Sequence, residues 1–119
     1  MISILPDNNY QNCEMIKTKY GDNVFVLTAK DGDECLGYGA VALYEDRADI
    51  VDVITAEGME SLEHGIFKAV MSFVERRSIY DCYCSLDNPV MLKRLGFTRV
   101  GDDSNLHYVS LLGYFEKHC

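Results

Sequence analysis

Only two prolines, at positions 6 and 89, interrupt this chain of 119 residues. There is no internal repeat and no low-complexity tract, so nothing in the composition marks a linker, and residues 1–119 read as one domain. No run of 18 or more apolar residues occurs, which excludes a membrane-spanning helix. The opening MISILPDNNY lacks the basic region followed by an apolar stretch that a secretory signal needs. Positive charge is scarce: 11 Lys and Arg face 19 Asp and Glu, for a net charge of −8. Such a surface repels phosphate backbones, and no nucleic-acid partner is expected. Paired metal-ligand spacing is missing as well. The five cysteines (13, 35, 82, 84 and 119) include no second pair to match Cys82 and Cys84, so no zinc site is expected. They read as free thiols in a reducing, cytoplasmic setting. Cys82 and Cys84, two apart on a strand, share one face.

What is present is apolar material, 48% of residues, enough for a single core. Met1 to Leu5 reads as a strand that stops at a turn, and residues 10–20 suit a short helix ended by Gly21-Asp22. Val24–Ala29 is a strand, and Asp31-Gly32 centres a hairpin turn. Cys35–Tyr44 returns, with Gly37 and Gly39 marking a bulge or a close backbone approach. Ala48–Thr55 completes an antiparallel meander. The hydrophobic period then changes from two to near 3.6. Leu62, Ile66, Ala69, Val70, Phe73 and Val74 form one face of a helix over residues 59–77, with Glu60, Glu63, Lys68, Glu75 and Arg76 opposite. Strands are expected at 79–86, 97–100 and 106–115, with a short helix after Asn88-Pro89, since Pro suits a first helical turn. A meander followed by a helical crossover predicts an α+β fold with a single mixed, mostly antiparallel sheet flanked by helices.

This order of elements, with Met91-Leu-Lys-Arg-Leu-Gly-Phe97, resembles the GNAT acyl-CoA N-acetyltransferase superfamily. Its members carry a short helix ending in a similar Leu-Gly-Phe segment, often with an Asn at its start, as Asn88 is here. Gly96 also has a physical reason: the residue after a helix commonly needs positive φ. The resemblance implies that acetyl-CoA is the cofactor. Its pantetheine arm would lie where the fourth strand parts from its parallel neighbour, along Val53 and Ile54. Its pyrophosphate would lie at a loop of the type Arg/Gln-x-x-Gly-x-Gly/Ala at a helix N-terminus. Aligned on Gly65, the loop here is Leu62-Glu63-His64-Gly65-Ile66-Phe67, and Gly65, Ile66 and Asn88 are the implied contacts. Leu62 stands at the cationic or amide position and Phe67 at the small one. Glu60 and Glu63 add negative charge, which His64 offsets in part when protonated.

Acetyl transfer to an amine needs a base and benefits from an acid. The family's base is often a Glu in an Ala-Glu-Ile-Val context, which Ala48-Asp49-Ile50-Val51 matches with the shorter acid. Asp52, between Val51 and Val53, must pair, face solvent or take a raised pKa. Asp49 and Asp52 are therefore the candidate catalytic residues. The family's usual acid, a Tyr four residues before the glycine, is Leu92 here, and sequence alone does not place Tyr80, Tyr83 or Tyr108 near enough to replace it. Two functions follow: acetyl transfer from acetyl-CoA to a small-molecule or protein amine, or a degenerate GNAT-like domain that binds or regulates. With only one helix between the first two strands, the acceptor side is open, and a second subunit could cover it as a homodimer.

Overall fold

The computed structural model describes residues 2–7, 13–101 and 105–115. One seven-stranded sheet runs through it in the order β1-β2-β3-β4-β5-β7-β6. The elements are β1 (Ile2–Pro6), α1 (Cys13–Tyr20), β2 (Val24–Asp31), β3 (Glu34–Leu43), β4 (Arg47–Thr55), α2 (Glu63–Glu75), β5 (Asp81–Cys84), α3 (Pro89–Arg94), β6 (Thr98–Arg99) and β7 (His107–Ser110). Strands β1 to β4 form an antiparallel meander. β4 and β5 are parallel, so the chain must cross over between them, and α2 is that crossover. β7 pairs antiparallel with both β5 and β6. The fold class is the expected one.

Each helix explains one face of the sheet. α2 buries Ile66, Phe67, Val70, Met71, Phe73 and Val74. These meet Leu27, Ala29, Val41, Ala48, Ile50, Cys82, Cys84 and Val109 in the larger core. On the opposite face α1 packs Ile16 over Val24, Val26, Ala40 and Ala42, with Tyr20, Tyr38 and Val51 at the margin. β2 and β3 are thus covered on both sides, which is why they read as near-continuous apolar runs.

The two glycines of β3 serve both purposes expected of them. The β2–β3 register shifts at Ala29/Lys30, beside Gly37. A Cβ on Gly39 would lie 2.8 Å from both Ile66 Cγ2 and Val70 Cγ2. Gly39 therefore lets α2 sit directly on the sheet. Gly96 has φ 97° and turns the chain out of α3, after which Phe97 is buried in the core.

Several boundaries differ from expectation. The long helix is preceded by a 3-10 turn at Glu60–Leu62 and ends at Glu75. The strand expected at 79–86 pairs only over Asp81–Cys84. The closing run is strand only over His107–Ser110. Gly113 has φ 70°, and the chain folds back so that the Tyr114 hydroxyl donates to the Leu95 carbonyl at 2.5 Å. Met1, residues 8–12 and residues 102–104 and 116–119 lie outside the described residues, and so do parts of the predicted first turn and helix. Among the described residues no helix is long and apolar enough to cross a membrane.

Candidate functional site

The β3–β4 ladder skips one residue. Ala40 faces Asp52 and Val41 faces Ile50, which leaves Val51 without a partner. A bulge of this kind resets the side-chain alternation of the strand. Before it, Ala48 and Ile50 point into the α2-side core and Asp49 points the other way. After it, Val53 packs on the α2 side, while Asp52 and Ile54 line a hollow on the α1 side. Asp49 and Asp52, three residues apart, would face opposite sides of a regular strand. Here they share one.

The bulge also coincides with the end of the parallel pairing. β4 and β5 are in register from Arg47↔Asp81 to Ile50↔Cys84 and no further. From Val51 to Thr55, β4 pairs with β3 alone among the described residues, and no described strand lies beside the edge that carries Val53 and Ile54. At the head of this gap lies a hollow of ≈ 280 Å³ lined by Arg47, Asp49, Ile50, Val51, Tyr83, Cys84, Ser85 and Leu106. Burial pushes the Asp49 carboxyl above the usual carboxylate range, and the Arg47 charge pulls it part of the way back. Tyr83 sits directly across the ladder from Asp49, and the Tyr108 ring lies 5.1 Å from it. Cys84 lines the hollow too, but burial pushes its thiol up to about 11, which leaves it protonated and unreactive.

The second carboxylate has a separate setting. The Tyr38 hydroxyl donates to Asp52 Oδ2 at 3.2 Å. Both residues line a hollow of ≈ 260 Å³ with Met15, Ile16, Lys19, Tyr20 and Ile54. Aromatic walls around one carboxylate suit a cationic group with an apolar neighbour.

At the far end of the gap stand the N-termini of α2 and α3. Gly65 is retained in an open position, where an added Cβ would meet only Ile4 Cδ1 at 3.5 Å. The Ile66 side chain is fully buried against the sheet, so only its main chain is available to a ligand. Phe67 is likewise a core residue, 1% exposed, and does not crowd the outer surface of the loop. Leu62 packs against the core and brings no charge. The expected contribution of His64 is corrected: burial, then the Arg94 and Lys68 charges, push its pKa down, so it stays neutral near pH 7. Of those two cations, Lys68 lies over the Tyr114 ring at 5.0 Å, and Arg94 approaches from α3. Asn88 Nδ2 donates to Glu63 Oε2 at 2.8 Å. Asn88 consequently does not cap its own helix with its side chain.

The Gly65 main chain and the Asn88 amide are donors that suit an anionic group, with the Glu60 and Glu63 carboxylates as opposing charges at the helix start. Leu92 is fully buried and offers no acid. Tyr83, passed over in sequence because nothing local distinguishes it from the other tyrosines, is the tyrosine that lines the Asp49 hollow.

No protein-family model and no curated protein sequence matches this chain. Its similarity lies in the fold. A GNAT family acetyltransferase from Elizabethkingia anophelis, solved with acetyl-CoA bound, superposes with a TM-score of 0.70 at 15% identity, over 85% of this chain and 78% of that one. The ribosomal-protein-S18-alanine N-acetyltransferase from Escherichia coli gives 0.71 at 9% identity, over 92% and 90%. A mutant of the toxin AtaT, bound to the C-terminus of the antitoxin AtaR, gives 0.69 at 14% identity, over 98% and 96%. At these identities the likeness shows the fold alone, and that fold is the GNAT acyltransferase fold.

Proposed function

We propose that this GNAT-fold chain transfers an acetyl group from acetyl-CoA to an amine. The observation that carries the reading is the bulge at Val51, where β4–β5 pairing ends and two carboxylates emerge on one face. When bound, acetyl-CoA supplies the acyl group already activated as a thioester. The β4 edge at Val53 and Ile54, open on the side away from β3, holds the extended arm, and the Gly65 and Ile66 main chain with the Asn88 amide holds the anionic end. Asp52, supported by Tyr38, binds the amine in its cationic form and positions it. Asp49 takes a proton from that amine, directly or through water, and burial, by raising its pKa, makes it a stronger base than a solvated carboxylate. In this reading Tyr83, which lines the Asp49 hollow, donates a proton to the leaving thiolate. The net charge of −8 favours a cationic acceptor, whether a small molecule or a protein amine, and disfavours nucleic acid. The Escherichia coli neighbour named for a protein alanine supports the amine class.

Calorimetric titration with acetyl-CoA and CoA tests the donor, and release of free thiol in the presence of candidate amines tests the transfer. Micromolar donor binding with amine-dependent thiol release is the expected result. Neither signal at millimolar donor would overturn the reading.

The buried Leu92 and the Glu63–Asn88 bond favour a second reading, a GNAT-like module that binds or regulates without transfer. AtaT, solved with an antitoxin segment bound, has this fold and a protein partner. Absence of donor binding, with tight capture of an amine or peptide at the Asp52 hollow, would select it. A second copy covering the open acceptor side is part of the first reading; sedimentation of a monomer at tens of micromolar counts against it.

A further inference from the structure

One lysine stands among the walls of the Asp52 hollow. Ile16, Lys19 and Tyr20 lie three and four residues apart on α1 and so share one face of that helix. Ile16 is buried against the sheet, and Met15, Lys19 and Tyr20 line the hollow with Tyr38, Asp52 and Ile54. A stripe that faces the sheet normally carries apolar residues. Lys19 stays on it by laying its stem along apolar surface while its charged head remains wet. Its side chain is exposed, and its ammonium lies 5.1 Å from the centroid of the Tyr20 ring. Among the described residues that ammonium forms no ion pair, whereas Lys30 is held by Asp7 at 3.1 Å. Lys17, two positions back, falls on another face and is not part of the hollow. The chain thus sets a primary amine of its own in the hollow whose carboxylate is proposed to bind amines. Ile54 belongs both to this hollow and to the open β4 edge, so the amine adjoins the place proposed for the acyl donor.

We infer that Lys19 is itself an acceptor, acetylated in cis by the chain that carries it. The inference rests on the acetyl transfer proposed above. One proton of the Lys19 ammonium passes to Asp49. The freed Nζ lone pair then forms an amide bond to the acetyl carbon as the bond from that carbon to sulfur breaks. A second proton leaves the nitrogen and balances the one taken up by the departing thiolate. The products are N-acetyl-lysine and the free thiol of CoA.

The test incubates the full chain with acetyl-CoA and no added amine, and follows each lysine by peptide mass spectrometry. Lys17 measures uncatalysed acylation of the same helix. Lys19 should be acetylated roughly 100-fold faster than Lys17, as one positioned base provides, at a rate constant that does not change when the protein is diluted. Asp49→Asn, shown by a thermal melt to be folded, should bring Lys19 down to the rate of Lys17. Equal rates at Lys17 and Lys19 in the wild type, or a Lys19 rate proportional to protein concentration, would overturn the inference. Acetylation of added amines with Lys19 left unmodified would also overturn it, while leaving the proposed transfer standing. If acetyl-CoA neither binds nor releases thiol, the transfer itself is wrong and the inference falls with it.

Discussion

Asp49 and Asp52 project from the same face of β4 although three residues separate them, because the Val51 bulge shifts the phase of the strand between them. They are not equivalent. Asp49 is pushed toward its protonated form by burial at the head of the β4–β5 gap, whereas Asp52 accepts the Tyr38 hydroxyl in a different hollow.

That division separates two substitutions in an acetyl-transfer assay. Asp49→Asn removes the proposed base and should lower kcat by roughly 100-fold, with KM for the amine little changed. Asp52→Asn removes an amine contact and should act mainly through KM. Matched losses in kcat from both would mean that the two carboxylates are not divided in this way.

The pH behaviour of Asp49 has a definite sign. Its folded-state pKa lies above 3.8, the unfolded value, so between the two the native state binds more protons and stability falls as pH rises. Asp49→Asn lacks that slope. Denaturant titrations from pH 3 upward should show the variant gaining on the wild type with rising pH, then holding a constant lead above the native pKa. In kinetics, the acidic limb of kcat/KM should lie above the ordinary carboxylate range and vanish in the variant.

Two glycines should respond oppositely. Gly39→Ala sets a methyl 2.8 Å from Ile66 and Val70, both fixed in the core. The overpacking costs about 1–3 kcal/mol, which lowers Tm by roughly 4 °C per kcal/mol. Gly65→Ala places its methyl in ordinary contact with Ile4 Cδ1 in a helical turn. It should hold or raise Tm and leave CoA affinity little changed, since the methyl faces β1. A melting scan and a CoA titration check both.

Tyr114 ties the end of the described chain to the end of α3, donating to the Leu95 carbonyl in a buried setting. Tyr114→Phe leaves that carbonyl unsatisfied and should cost about 1–3 kcal/mol. Donor binding should be unaltered, because neither residue lines the gap. Urea denaturation measures the first effect and calorimetry the second.

The meander, the crossover helix and the Gly96 turn were legible because each rests on local pattern: alternation, a 3.6-residue period, and a residue that tolerates positive φ. The core side of α2 was legible only in part. Phe67 and Met71 are buried beyond the expected stripe, since a helix lying on a broad sheet touches it over more than a narrow seam. The bulge was not visible, because Val51-Asp52-Val53 looks like ordinary alternation and only the pairing with β3 shows the skipped residue. The Glu63–Asn88 bond spans 25 positions and depends on where two helices begin in space. His64 is similar: its local sequence gives no hint of Arg94, which approaches from another helix. The closing run is uniformly apolar and reads as one long strand, yet only the part opposite β5 and the short β6 finds partners.

The single parallel pairing has a mechanical consequence. An antiparallel ribbon of four strands and another of three are stitched together by four residue pairs, Arg47↔Asp81 to Ile50↔Cys84. The hairpins of the four-stranded ribbon close locally, but the stitch brings residue 47 to residue 81, and β5 meets β7 across a similar separation, the kind of long-range contact that pays off late in folding. It is also the vertex of the gap. Any widening of the gap is a rotation about those four pairs, so the amide protons of Ala48 to Ile50 are natural reporters of both the closure of this stitch in folding and the opening of the proposed donor groove.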